Sequence, residues 1–140
     1  MSYSESSPDP NALLSYREFL RHRANRAWGV SGQVSEDGYS TRTKPNILMV
    51  AKDNSHAQHP TVISNFDEAV QTIQHSFPDL TVQVVKSFYQ MKQHEQIKVV
   101  LDSDIMFTQP GSDAMNAIFL PAGSSLITPC RLLDTTYLYS

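Results

Sequence analysis

The spacing of apolar residues changes several times along the chain, and each change predicts an element. Between Ala12 and Trp28, apolar Leu13, Leu14, Phe19, Leu20 and Trp28 stand among Arg17, Arg21, Arg23 and Arg26. That spacing predicts an amphipathic helix over residues 12–28, ending near Gly29. Residues 29–44, GVSGQVSEDGYSTRTK, hold three glycines and no sustained period, as a linker would. NILMVA (46–51) is long enough for a strand and too short for a helix. SNFDEAVQTIQHSF (64–77) has a capping residue at Ser64 or Asn65, acid in its first turn, and apolar Phe66, Val70, Ile73 and Phe77. It predicts a helix that Pro78 stops. LTVQVV (80–85), rich in β-branched residues, predicts a second strand. A helix over YQMKQHEQIKVVLDS, a third strand at DIMFTQ, a short helix at SDAMNAIFL and a fourth strand at SSLITP follow.

Apolar strands alternating with helices predict an α/β fold, a Rossmann-like parallel sheet with helices on both faces, over residues 45–130. Residues 1–11, polar and punctuated by proline, are expected to be disordered, and residues 131–140 to form a tail. In such sheets ligands bind beyond the carboxyl ends of the strands, where loops lead into helix N-termini.

Composition narrows the field. The chain has 140 residues, a 40% apolar fraction and a net charge of −3, which suits one globular domain without the basic face of a nucleic-acid binder. No apolar run approaches the roughly 20 residues that span a bilayer. A single cysteine, Cys130, excludes an internal disulfide. That fits a cytoplasmic protein, and equally a fragment of a longer protein of the ER or Golgi lumen.

The candidate chemistry clusters after the first and third strands. Gly111, between Pro110 and Ser112-Asp113, permits a sharp turn into a helix whose free N–H groups form a ready anion site. The plainer reading is a tight turn with an N-cap, worth about 1 kcal/mol, and the Asp113 carboxylate would compete with a phosphate for the same donors. Lys52 follows the first strand and is either a point charge for a diphosphate or a solvated loop lysine. His56 and His59 have the spacing of a metal pair, yet Pro60 and the absence of a third ligand argue against a metal site. Cys130 beside Arg131 has no identifiable histidine partner. His75 and His94 are expected on the surface, and Met91, Met106 and Met115 as gap-filling core. Asn116 stands in an apolar helical turn, where an unpaired amide is costly. It must bond to a neighbouring loop, bind a ligand or stay wet.

Taken together, these stretches resemble the C-terminal half of glycosyltransferase family 61. The resemblance runs from Pro45 to Pro129. It is carried by NILMVAK, VISNFDEAV, Gln96-Ile97, Gly111, Asn116, Phe119-Leu120-Pro121 and Gly123-Ser124. It implies one half of a GT-B-type enzyme, in which the C-terminal Rossmann-like domain holds a nucleotide-sugar, possibly UDP-linked, and a facing domain holds the glycan or protein acceptor. Carried across, the donor-binding residues are Lys52, Gly111, Ser112, Asn116 and Thr128, with no cofactor beyond the donor itself. Pro110 replaces the motif histidine, Ser112 an alanine, Asp113 the second glycine, and Thr128 a glutamate. A proline has no side-chain donor, acceptor or proton shuttle, and no general base can be nominated.

A two-domain GT-B enzyme needs about 300 residues or more, at roughly 100–200 per domain. This chain therefore reads as the donor-binding portion of a longer protein or as a reduced relative, inactive alone and completed by an acceptor domain or a second copy. The alternative is a non-catalytic interaction or scaffold domain that has kept the fold. A third reading is a small flavodoxin-like ligand domain.

Overall fold

The structure is a computed structural model that describes residues 9–51 and 63–129. In chain order the elements are α1 (Pro10–Trp28), β1 (Asn46–Val50), α2 (Phe66–Ser76), β2 (Thr81–Val85), a 3-10 turn (Phe88–Gln90), α3 (Gln93–Leu101), β3 (Ile105–Phe107), a 3-10 helix (Ser112–Phe119) and β4 (Ser125–Ile127). The four strands form one sheet in the order β2-β1-β3-β4, all parallel. This is the expected Rossmann-like α/β arrangement. Lys52, His56, His59 and Cys130 lie outside the described residues.

Strand β1 organises the molecule. Leu48 is paired with Gln83 on one side and Met106 on the other, and all five β1 residues are buried, so both faces of the strand are covered. The chain steps from β1 out to β2, then crosses back over β1 to reach β3. Right-handed crossovers in opposite directions set α2 and α3 on opposite faces. Leu48 and Val50 join Val85, Phe88, Val100, Met106 and Leu120 in the main core cluster. Ile47 and Met49, also buried, occupy the other face by strand alternation. Cover is complete only at the centre: every residue of β4 is exposed.

Local chemistry sets the element ends. The Asp9 side chain accepts from the Asn11 amide at 3.0 Å and Pro10 sits in the first turn, so α1 begins two residues before the apolar period predicts. Gly29 closes it at φ 62°. The single helix expected over residues 89–103 is instead a 3-10 turn followed by α3. Ser87 Oγ accepts from the Tyr89 amide, Phe88 is driven into the core, and Met91 is extended. The helix restarts where the Glu95 carboxylate accepts from the Lys92 amide at 2.8 Å. The last helix is 3-10: Ala114 N donates to Gly111 O and Leu120 N to Ala117 O, each spanning three residues between Pro110 and Pro121.

Helix α1 packs less deeply than its apolar residues suggest. Ala24 joins Val30, Ile97 and Leu101 in a second core cluster, while Leu14, Tyr16, Phe19 and Trp28 are exposed. Trp28 lies beside the ring of His94, centroids 6.4 Å apart, which leaves His94 half-buried while His75 is exposed. Met106 is buried and Met91 packs against the main cluster. Met115 is exposed, contrary to expectation, because in a 3-10 helix it shares a face with exposed Ser112, three residues earlier. Between α1 and β1, Val34 and Ser40 form an antiparallel bridge and Tyr39 bridges to Ala122.

Candidate functional site

In a parallel sheet every strand delivers its carboxyl end to the same edge. Here the order reverses between β1 and β3, the switch point beside which ligands bind in sheets of this kind. The β1 side continues through Ala51, whose amide donates to Val85 O at 2.8 Å. The β3 side continues through Thr108, whose amide donates to Ile127 O at 3.1 Å. Thr108 and Gln109 are buried, and Pro110, Gly111 and Ser112 come to the surface.

Gly111 has φ 137° and ψ −159°, a conformation essentially confined to glycine. The turn expected from sequence is therefore a backbone requirement of this position. It leads directly into the 3-10 helix, with Ser112 exposed at its start and Asp113 partly buried. Thr128, partly buried, follows β4 on the same edge of the sheet. Gly111, Ser112 and Thr128 thus share the carboxyl edge, while Lys52 lies outside the described residues.

Asn116 bonds to a neighbouring helix, where sequence had offered a neighbouring loop, a ligand or water. Its Nδ2 donates to Gln96 Oε1 at 3.2 Å. Gln96 in turn donates from Nε2 to Phe88 O at 2.7 Å and Met91 O at 3.0 Å. One glutamine on α3 therefore satisfies two carbonyls of the 3-10 turn and holds the amide of the 3-10 helix. Asn116 shares its face with Phe119, which packs against both core clusters, so the amide is carried inward with the ring.

Sequence reasoning also missed a clamp on the far end of the 3-10 helix. Arg17 Nε donates to Ile118 O at 3.2 Å, and Arg17 Nη2 donates to Leu120 O. A guanidinium fork suits paired carbonyls, and its charge complements the negative end of a helix. The available signal was its stripe position: Arg17 falls three residues before Leu20 and seven before Ala24, both on the packed side of α1. Gln109 was missed as well. It is 4% exposed, and its Oε1 has no hydrogen-bond partner among the described residues.

The amino edge of the sheet carries a different kind of polar cluster. Arg42 Nε and Nη2 donate to the two Asp104 oxygens at 3.1 and 3.0 Å, and the Asn46 amide donates to Asp104 Oδ2 at 2.8 Å. Burial alone would raise the Asp104 carboxyl. Hydrogen bonds from Arg42, Ser40 and the Asn46 amide, with the charge of Arg42, more than offset it and hold the group below the usual carboxylate range. A depression of about 500 Å³ opens nearby, lined by Arg42, Lys44, Asn46, Thr81, Gln83 and Lys98 among others. Arg42 is already paired with Asp104, and Lys98 with Asp102, so the cluster reads as a structural fastening. Among the described residues no three His, Cys, Asp or Glu side chains gather as metal ligands, and no helix is long and apolar enough to cross a membrane.

A comparison with curated proteins returned no match. The family model described as Glycosyltransferase 61 matches residues 4–127. The match takes in α1 and the Val34–Ser40 bridge as well as the sheet, a wider span than the Pro45–Pro129 stretch on which the resemblance was read. With most of its length matched, the chain belongs to the glycosyltransferase 61 family.

Proposed function

We propose that the crevice between the carboxyl ends of β1 and β3 binds the diphosphate of a nucleotide-sugar, so that the chain supplies the donor side of a glycosyl transfer to a glycan or protein acceptor. The observation that carries the reading is Gly111 at φ 137°, placed at the reversal of strand order in a chain of this family. A turn without a Cβ lets a ligand approach the backbone, and the start of the following helix favours an anion. Lys52, directly after Ala51, supplies a cation from the β1 side, and Ser112 and Thr128 supply hydroxyls along the same edge. Asn116 contributes by fixing the 3-10 helix against α3.

A site formed by one sheet edge is open to water, and its electrostatic contribution to transfer is weak until something closes over it. The acceptor side therefore belongs to a facing domain in a GT-B arrangement, or to a second copy of the chain. Titration calorimetry of the folded protein with UDP and several UDP-sugars tests the donor site. Saturable binding at micromolar to millimolar ligand is expected, and lack of heat at millimolar UDP would reject the crevice.

One observation favours the second reading, a non-catalytic scaffold. Leu14, Tyr16, Phe19 and Trp28 on α1 are exposed, and Leu126 and Ile127 on β4 are as well. Apolar surface of this extent suits a partner, and Pro110 lacks the chemistry of an imidazole. Light scattering decides the point: self-association without UDP binding supports the scaffold, and a monomer that binds UDP supports the donor site.

A further inference from the structure

We propose that the outward face of α1 carries a binding site for an acidic glycan, which Phe19 meets with its ring and Arg23 and Arg26 hold by carboxylate or sulfate groups. Its use as an acceptor site rests on the transfer reading above, while the site itself stands on α1 alone. Helix α1 has four arginines and one acidic residue in a chain of net charge −3. Two of the four are engaged by the fold. Arg17 donates to the carbonyls of Ile118 and Leu120, and Arg21 Nη1 pairs with Glu18 at 2.7 Å. Arg23 and Arg26 are exposed and make no ion pair among the described residues. The Arg23 guanidinium lies 5.9 Å from the centre of the Phe19 ring. A guanidinium seated on an aromatic ring is held in place with its N–H edge still available, which suits a bidentate oxyanion.

The face has a shape as well as a charge. A depression of about 630 Å³, lined among the described residues by Phe19, His22, Arg23, Asn25 and Arg26, falls within the range of small-ligand sites. Its lining selects the occupant. Tyr16, Phe19, Arg23 and Arg26 follow one another along the face at steps of three and four, and both rings are about half exposed. No leucine, isoleucine or valine shares this stripe. It therefore lacks the aliphatic knobs that seat a partner helix and the unbroken apolar face that enters a bilayer. A sugar ring offers an apolar C–H face to Phe19 and hydroxyls to His22 and Asn25, and an acidic sugar adds the oxyanion that the guanidiniums require. The direction of the helix suits an acceptor chain. Its last residue, Trp28, lies beside His94 in the first turn of α3. Since α3 follows β2, that turn lies toward the carboxyl edge of the sheet, where the transfer reading puts the donor.

Titration calorimetry on the intact chain tests the site with a galacturonic acid tetrasaccharide, its methyl ester and a sulfated galactose tetrasaccharide. Wild type is expected to bind an acidic probe roughly tenfold or more tightly than the ester, and the preferred probe tells whether the anion is a carboxylate or a sulfate. Arg23→Gln and Arg26→Gln, made together, should lower that affinity roughly tenfold or more while leaving UDP affinity and the urea midpoint unchanged. Equal affinity for acid and ester, or an affinity that the double variant retains, overturns the proposal. A lowered urea midpoint makes the two arginines structural and overturns it as well. So does binding of hexaglutamate or phosphatidylserine vesicles in place of the glycans, which marks the face as a docking surface for a protein or a membrane. Acidic glycan bound by a wild type that gives no heat with UDP rejects the donor crevice and keeps the glycan site. UDP bound without any acidic glycan rejects the glycan site and keeps the crevice.

Discussion

Asn116 Nδ2 donates to Gln96 Oε1 at 3.2 Å, joining two residues that stand twenty positions apart on α3 and the 3-10 helix. The bond turns a polar residue in an apolar turn into a fastening, and Gln96 extends it to the carbonyls of Phe88 and Met91. The wall of the candidate crevice is thus tied to the element on which the core is built.

Removing the hub is expected to cost more than removing the spoke. Gln96→Leu orphans two carbonyls and one amide, and should destabilise the fold by about 2–4 kcal/mol. Asn116→Ala loses one neutral bond and should cost about 1 kcal/mol. Urea unfolding of the two variants checks the order, and equal costs would contradict the assignment of Gln96 as the hub.

Arg17 should not be replaceable by lysine. Arg17→Met is expected to lose about 1–3 kcal/mol through the uncapped carbonyls of Ile118 and Leu120. Arg17→Lys should recover under half of that loss, because an ammonium cannot span both oxygens in a planar fork. Thermal melts of the three proteins measure the difference.

The Arg42–Asp104 pair predicts acid sensitivity with a definite sign. The folded-state carboxyl lies below its ordinary value, so the unfolded chain takes up the proton first as pH falls. The stabilisation is fully present above the unfolded value of about 4 and is lost as pH drops through the lower folded-state value. Asp104→Asn should cost about 2 kcal/mol at pH 7, and its gap to wild type should shrink below about pH 4. A constant gap from pH 7 to pH 3 would show that the carboxylate charge contributes nothing.

At Gly111 the expected effect is on both stability and binding. Gly111→Ala places a Cβ in a conformation that costs about 1–3 kcal/mol of backbone strain, or forces the turn to move. Either response should weaken UDP binding more than the distant change Gly123→Ala does. Calorimetry on both variants tests it, and identical UDP affinities would detach the turn from the site.

The parts legible in sequence were those whose signals are local. Runs such as NILMVA and LTVQVV announce strands by composition, and their alternation with helical periods implies the parallel sheet. Gly111 could be read because its conformation excludes other residues. The parts that were not legible depend on what meets what across the fold. Arg17 looks like any of the four arginines of α1 until the carbonyls of Ile118 and Leu120 arrive beside it. Gln109 reads as a polar strand end, and only burial makes it conspicuous. Met115 was expected in the core, because a 3-10 helix and an α-helix of the same residues turn different side chains outward. Helix α1 offered an apolar stripe, but the stripe alone did not reveal that Ala24 would be covered while Leu14 and Phe19 stayed open.

The clamp from Arg17 to Ile118 and Leu120 spans sequence separations of 101 and 103 residues. Helix α1 therefore has two seats of different reach: Ala24 meets Ile97 and Leu101 of α3, whereas the guanidinium waits for the segment that holds Ile118 and Leu120. Cutting the polypeptide between residues 102 and 117 should spare the apolar seat and forfeit the polar one.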